Sequence, residues 1–325
     1  MIQAFIKAKR RVAWQSRLDR SSLLLEADCG ERVAIWVFDS RSGPDGYVLR
    51  DQILQLAKIE RLKLFSFGPR DGHKHRSCLT PLKVVAQSSD SAFSDRVACC
   101  LDEAAAVCGT SLFIVGACKG TFAGMIPASA ELWEVQHGLL DPSYFPVKAH
   151  RFFARSSTSL ALLSKAGAAD RLTALSDDLS PPRTVPGDIA DAKSLVCYSK
   201  NPGGGCTTAE LTQFERSVED LARRLGLPYR LKLHPRDNPL KLTVRHRRGT
   251  VARYLKPDAQ MLPAPRLVVS SFSTALTAET RKGDLLMNVV IAPLNPIIEA
   301  EYNWLPTVCI DDLIKGTNLS VVERL

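Results

Sequence analysis

Short apolar runs alternate with helix-spaced segments along the chain, and this alternation leaves few folds open. Val33–Phe38 (VAIWVF), Leu62–Phe67 (LKLFSF), Lys83–Gln87 (KVVAQ), Leu112–Ala117 (LFIVGA) and Glu131–Gln136 (ELWEVQ) have the length and content of buried strands. Between them, Val48–Ile59 and Asp95–Val107 carry helical spacing. Strands that alternate with helices predict a parallel sheet covered on both faces. Residues 1–180 are expected to form one doubly wound domain and residues 181–325 a second. With 325 residues the chain is long enough for two such domains.

Ser176–Asp191 (SDDLSPPRTVPGDIAD) has little to bury and is expected to be the linker. A second series of elements follows it. Ser194–Tyr198, Tyr229–Leu233, Leu267–Ser270, Leu285–Ile291 and Thr307–Ile310 are expected strands, the last of these closing the series. Thr208–Leu225 is the clearest helix, with Leu211, Phe214, Val218, Leu221 and Leu225 on one stripe. Thr207 and Glu210 have the spacing of a capping box, and Gly226 and Pro228 end the helix. A further helix is expected over roughly residues 272–282.

Two such domains joined by one linker suggest an enzyme with a cleft between them. Open parallel sheets bind ligands beyond the carboxyl ends of their strands, so residues just after strands carry the information. Three such places stand out in the second domain. Lys232-Leu233-His234-Pro235 puts a histidine after a strand, where it can donate to a phosphate or give a leaving phosphate its proton. The other reading of His234 is a turn residue. Ser270, Ser271, Ser273 and Thr274 cluster where a strand meets a helix, a pattern suited to an anion and beyond what one helix cap requires. Lys200, Asn201, Gly203 and Gly204 lie in a loop whose glycines admit close backbone approach to a phosphate or sugar; a plain connector is the other reading. It is neither a Walker loop nor GxGxxG. In the first domain, Glu131–Gln136 delivers His137 and Gly138. A neutral imidazole there can accept a hydroxyl proton near neutral pH, or His137 is a residue of a strand–helix turn.

The order of a first Rossmann-like domain, then KLHPRD, then VVSSFSTALTAE resembles the bacterial GT-B glycosyltransferases that use CMP-activated acidic sugars. These are the lipooligosaccharide sialyltransferases, the capsule polysialyltransferases and the related Kdo transferases. The resemblance implies an α/β chain of two Rossmann-like doubly wound domains facing a cleft, with an acceptor domain first and a nucleotide-sugar donor domain second. It implies that His234 contacts the CMP phosphate and that Ser270 and Ser271 bind phosphate or nearby donor groups. The sialyltransferases carry an acidic pair and glycine where this chain has Gln136-His137-Gly138. If the role carries over, His137 replaces their carboxylate as base, with Gln136 beside it at the acceptor. Asp45, before Gly46, is the acidic alternative. The reaction expected is metal-independent and inverting, without a cofactor, from a CMP-sugar to a bacterial surface glycan or glycolipid. A CDP-activated polyol-phosphate or sugar-phosphate transferase keeps the architecture and changes the chemistry. A non-catalytic nucleotide- or glycan-binding subunit is the reading from outside enzymology.

Charge agrees with anionic partners. Lys plus Arg number 43 against 34 Asp plus Glu, a net charge of +9. Met1–Arg20 is basic with apolar residues interleaved, and can be a packed first helix or a peripheral contact with an anionic membrane. No nucleic-acid motif accompanies the basic residues, so no nucleic-acid partner is expected. His73, His75 and Cys78 lack a partner cluster with zinc spacing, so no metal site is expected. Nine cysteines with no CxxC fit a reducing compartment. No apolar run approaches the ~18–20 residues of a membrane span, and the opening segment lacks a secretory cleavage pattern. The expected location is the cytoplasm, with peripheral attachment at the inner face of the plasma membrane. The closing helix that often crosses back to the first domain in GT-B proteins is expected to be short or missing.

Overall fold

The computed structural model describes residues 21–37, 44–69, 91–116, 126–127, 129–136, 138, 140, 144–175, 183–199, 206–232, 251–252, 262–273, 276, 280–291, 296–305, 307–316 and 322–324. The chain divides into two compact units. One comprises 1–137 and 142–177, the other 138–141 and 178–325.

The first unit is built on strands β1 (Ser21–Asp28), β2 (Arg32–Val37), β3 (Leu62–Pro69), β4 (Leu112–Gly116), β5 (Glu131–Val135), β6 (Arg151–Ala154) and β7 (Leu172–Ala174). Their order across the sheet is β1-β3-β2-β4-β5-β6-β7. Every pairing is parallel except that of β1 with β3. The central strands are buried on both faces, as parallel sheets require. Ile35 and Val37 pack on one side with Val97 and Leu101 of α2 (Ser91–Cys108). Ala34 and Trp36 pack on the other with Ile53, Leu56 and Ala57 of α1 (Pro44–Ile59). This period-two division comes directly from the run VAIWV.

The second unit has β8 (Val185–Gly187), β9 (Ser194–Tyr198), β10 (Tyr229–Lys232), β11 (Val251–Ala252), β12 (Arg266–Ser270), β13 (Leu285–Val290), β14 (Thr307–Cys309) and β15 (Val322–Arg324). The order is β11-β10-β9-β12-β13-β15-β8. β13 shares one edge between two partners, antiparallel β15 at Leu285 and Leu286 and parallel β14 from Asn288 to Val290. The predicted long helix is present as α4 (Thr208–Arg224), after the short α3 (Ser157–Leu163) of the first unit. Its capping box is complete: Thr207 accepts the Glu210 N–H, and the Glu210 carboxylate accepts the Thr207 N–H. Those bonds, led by the Thr207 N–H, hold the Glu210 carboxyl below its ordinary range. Leu211, Phe214, Val218 and Leu221 are buried beneath Leu195, Cys197, Leu267 and Met287. Leu225, the last residue of the predicted stripe, lies past the helix end and is exposed. On the other face, Val196, Val268, Phe272, Leu286, Tyr302 and Leu305 form a separate core.

Several expectations need correction. The stretch predicted as linker contains β8, which pairs with β15, and Asp191 makes an ion pair with Arg324. Proline-rich sequence is compatible with a three-residue edge strand, because an edge position does not demand every N–H. Thr307–Ile310 is not the last strand, since β15 follows; Ile310 begins helix α6 (Ile310–Lys315), after α5 (Pro296–Glu301). Phe272 does not start the predicted helix, because its φ is +47°; Leu276 within the predicted range is helical, and residues 274, 275 and 277–279 lie outside the described residues. β1, β6, β7 and β11 are additional to the predicted strands. The expected strand at 83–87 lies outside the described residues.

Candidate functional site

In the second unit the chain steps outward from β9 to β10 and β11, then returns to lay β12 on the opposite side of β9. Connections therefore diverge beyond the carboxyl ends of β9 and β12. Open α/β sheets bind ligands at such a reversal point. The first unit reverses in the same way between β2 and β4, but the residues following those two strands lie outside the described ones.

At the reversal point of the second unit, Tyr198 and Ser270 face each other in register. Ser270 is fully buried and its hydroxyl donates to the Tyr198 carbonyl at 3.0 Å. That bond stitches the two diverging strands together. Ser271 follows, also buried, and then Phe272 in its left-handed conformation. The Phe272 N–H donates to Asn288 Oδ1 at 2.9 Å. Ser273 is half-buried, and its carbonyl accepts the N–H of Leu276. Thr274 lies outside the described residues.

Ser199 stands one residue past β9. Its N–H donates to the Lys232 carbonyl at 2.8 Å, and its hydroxyl donates to the carboxylate of Glu215, fully buried on α4. Lys232, the last residue of β10, brings its ammonium within 5.1 Å of the Tyr198 ring centre, a cation–π contact. Basic charge, two strand-end serines and a strained turn therefore converge on one end of one sheet. Burial, reinforced by Glu215, pushes the Cys197 thiol well above its ordinary pKa, so it stays protonated and is no nucleophile.

Other predicted residues fall differently. Gln136 is fully buried just after β5. Its amide nitrogen Nε2 donates to Ser159 Oγ at 2.8 Å, and its Oε1 accepts the Arg155 N–H at 2.9 Å. These bonds tie the end of β5 to Arg155 and to Ser159 of α3. Asp45 is the second residue of α1. His137, Lys200, Asn201, Gly203, Gly204, His234 and Pro235 lie outside the described residues, as do His73, His75 and Cys78. Among the described residues, no group of three or more His, Cys, Asp or Glu could hold a metal ion. No described helix is long and apolar enough to cross a membrane. Sequence reasoning missed Asn288 and Glu215. Asn288 had a readable signal, a single amide inside the apolar run LLMNVVI. Glu215 had less, because acids are common on helices.

Comparison with solved structures bears on the architecture. The chain is similar to a Listeria monocytogenes protein assigned as a UDP-N-acetylglucosamine 2-epimerase, with 14% identity, 88% of this chain and 87% of that one covered, and a TM-score of 0.54. It is also similar to the UDP-GlcNAc 2-epimerase of Neisseria meningitidis, solved bound to UDP-GlcNAc, with 14% identity, coverages of 87% and 90%, and a TM-score of 0.52. At this identity the likeness shows the fold. The fold class is α/β with two Rossmann-like units, the GT-B class. No family model matches the chain, and no curated protein matches it.

Proposed function

We propose that the second unit binds a nucleotide at the carboxyl ends of β9 and β12, and that the protein is a GT-B glycosyltransferase. The observation that carries this reading is the coincidence of Ser270-Ser271 with the reversal point of the second sheet. Lys232, which leads into His234-Pro235, stands at the end of the neighbouring strand. The donor in this proposal is a CMP-activated acidic sugar of sialic acid or Kdo type, as the HP and SS motifs suggest. The acceptor is a bacterial surface glycan or glycolipid, met in the cytoplasm at the inner face of the membrane.

In the proposed reaction His137 takes the proton of the acceptor hydroxyl, with Asp45 as the alternative base. The hydroxyl oxygen attacks the anomeric carbon and the bond to the CMP phosphate breaks with inversion. His234 stabilises the departing phosphate, together with Ser271, Ser273, Thr274 and the backbone that follows them. Fixed donors aimed at developing charge usually contribute more to such a step than any other single effect. Ser270 contributes by holding the strands in register. In this scheme Lys200, Asn201, Gly203 and Gly204 are donor contacts, and Pro235 acts beside His234. No metal or cofactor enters the scheme, so chelation is expected to leave turnover unchanged.

A second reading has its own support. The similarity to two UDP-N-acetylglucosamine 2-epimerases, one bound to UDP-GlcNAc, favours a UDP-sugar in the same place. Donor trials separate the two. Product from a CMP-sugar and none from UDP-GlcNAc supports the first; conversion of UDP-GlcNAc with no use of CMP-sugars replaces it. Product from CDP-glycerol alone would make the reaction a phosphoryl-group transfer. His137→Ala is expected to lose turnover while still binding CMP, and unchanged turnover removes His137 as base.

A further inference from the structure

Asn288 is fully buried within β13, in register with Ser270 of β12. A buried amide in an apolar strand is costly unless both its ends are bonded. Here both are: Oδ1 accepts the Phe272 N–H at 2.9 Å, and Nδ2 donates to Thr307 Oγ1 at 3.3 Å on β14. The Thr307 hydroxyl donates in turn to the Leu305 carbonyl at 3.4 Å. The chain of bonds thus runs from β14 through β13 to the turn after β12.

That turn needs support. A bulky aromatic at φ +47° is an outlier that persists only where its surroundings over-determine it. Two contacts do so. Asn288 holds the N–H, and the Phe272 ring lies edge-on to Tyr302, centroids 5.0 Å apart at 85°. A glycine would adopt this φ without cost.

We propose that Asn288 is a positioning residue for the nucleotide site. By holding the Phe272 N–H it keeps the Ser271–Phe272–Ser273 backbone in the left-handed turn on which phosphate binding depends. The inference rests on the nucleotide reading above, and its role is indirect, through the turn rather than through contact with the ligand.

The test uses the full chain with CMP as probe, and amide hydrogen exchange at residue 272 without nucleotide. Asn288→Leu keeps the branched side-chain outline and removes the acceptor. It is expected to weaken CMP binding about tenfold, the scale of one hydrogen bond, and to speed exchange of the Phe272 amide while amides of α4 keep their protection. Adding Phe272→Gly to that variant is expected to recover much of the affinity, because glycine takes the left-handed turn unaided. A residue that only fills space would not be rescued by glycine at 272. Thr307→Val, a milder change that removes the acceptor of Nδ2, covers the case in which Asn288→Leu does not fold. It is expected to speed the same amide and weaken CMP binding about two- to threefold, a fraction of one hydrogen bond. Wild-type binding of CMP with unchanged binding in Asn288→Leu, or in Thr307→Val where the first fails to fold, overturns this inference alone. A wild type that binds no nucleotide overturns the nucleotide reading and the inference with it.

Discussion

The two ends of β12 are built on opposite terms. At its amino end, Arg266 forms a two-pronged ion pair with Asp284, through Nε to Oδ1 at 3.0 Å and a second bond from Nη2 to Oδ2. Both side chains are almost wholly buried. Asp284 also accepts the N–H of Arg281 at 2.9 Å, so its charge is well satisfied. At the carboxyl end the sheet carries Ser270, Ser271 and a left-handed Phe272 instead. The first unit repeats the first half of this contrast. At the amino ends of its strands, Arg151 pairs with Glu60 and lies over the rings of Trp133 and Phe153, and Arg32 pairs with Glu131. Labour is divided between the ends: charge is paired off where strands begin, and strained polar structure is kept where ligands are expected.

Variants that act at the wrong end would undo this contrast. The largest effect is expected from Asp284→Ala, which leaves the buried Arg266 guanidinium without its partner. Losing one half of a buried pair costs about 3–5 kcal/mol. Denaturant unfolding should show that loss, and CMP affinity measured where the variant remains folded should be unchanged. A shift in affinity comparable to the loss of stability would end the division of labour. Ser271→Ala is the converse probe. If Ser271 bonds a phosphate, its removal costs about 1.5–3 kcal/mol of binding, seen by calorimetric titration, with little change in melting temperature. Thr207→Ala removes one half of the capping box on α4 and should cost about 1 kcal/mol of stability. Arg32→Ala refines the contrast within the amino-end set. Its pair with Glu131 is solvent-exposed on both sides, so the expected loss is only about 0–1 kcal/mol and should shrink further with salt.

The fold was legible in the sequence where burial alone decides conformation. β2, β4, β9 and β13 are largely apolar runs, β13 interrupted by Asn288, and α4 carries a full stripe with a capping box, so their physics is local. Edge strands were not legible. β8, at the edge of its sheet, pairs with β15, which lies between it and β13, in segments whose residues show no period, because such short strands are chosen by an available partner rather than by their own composition. The candidate site was legible in part. The Ser270-Ser271 pair announces itself at a strand end, yet its arrangement is set by Asn288 on another strand and by the φ of Phe272. Neither is visible without the sheet order. The helix start predicted at Phe272 missed this, because serine-rich strand ends commonly start helices and nothing local signals a left-handed aromatic.

The proposed nucleotide site with cytidine preference, at the reversal point between β9 and β12, makes one demand above the others. The thermal shift of the full chain against CMP, CDP, UDP and GDP, repeated on Ser271→Ala, must follow both the base and the serine. A ligand present at about 100 times its dissociation constant adds about 2.7 kcal/mol of stability. CMP is expected to raise the melting temperature of the wild type and to raise that of Ser271→Ala much less. Stabilisation by UDP alone would contradict the cytidine assignment, and equal stabilisation of wild type and Ser271→Ala by CMP would contradict the site.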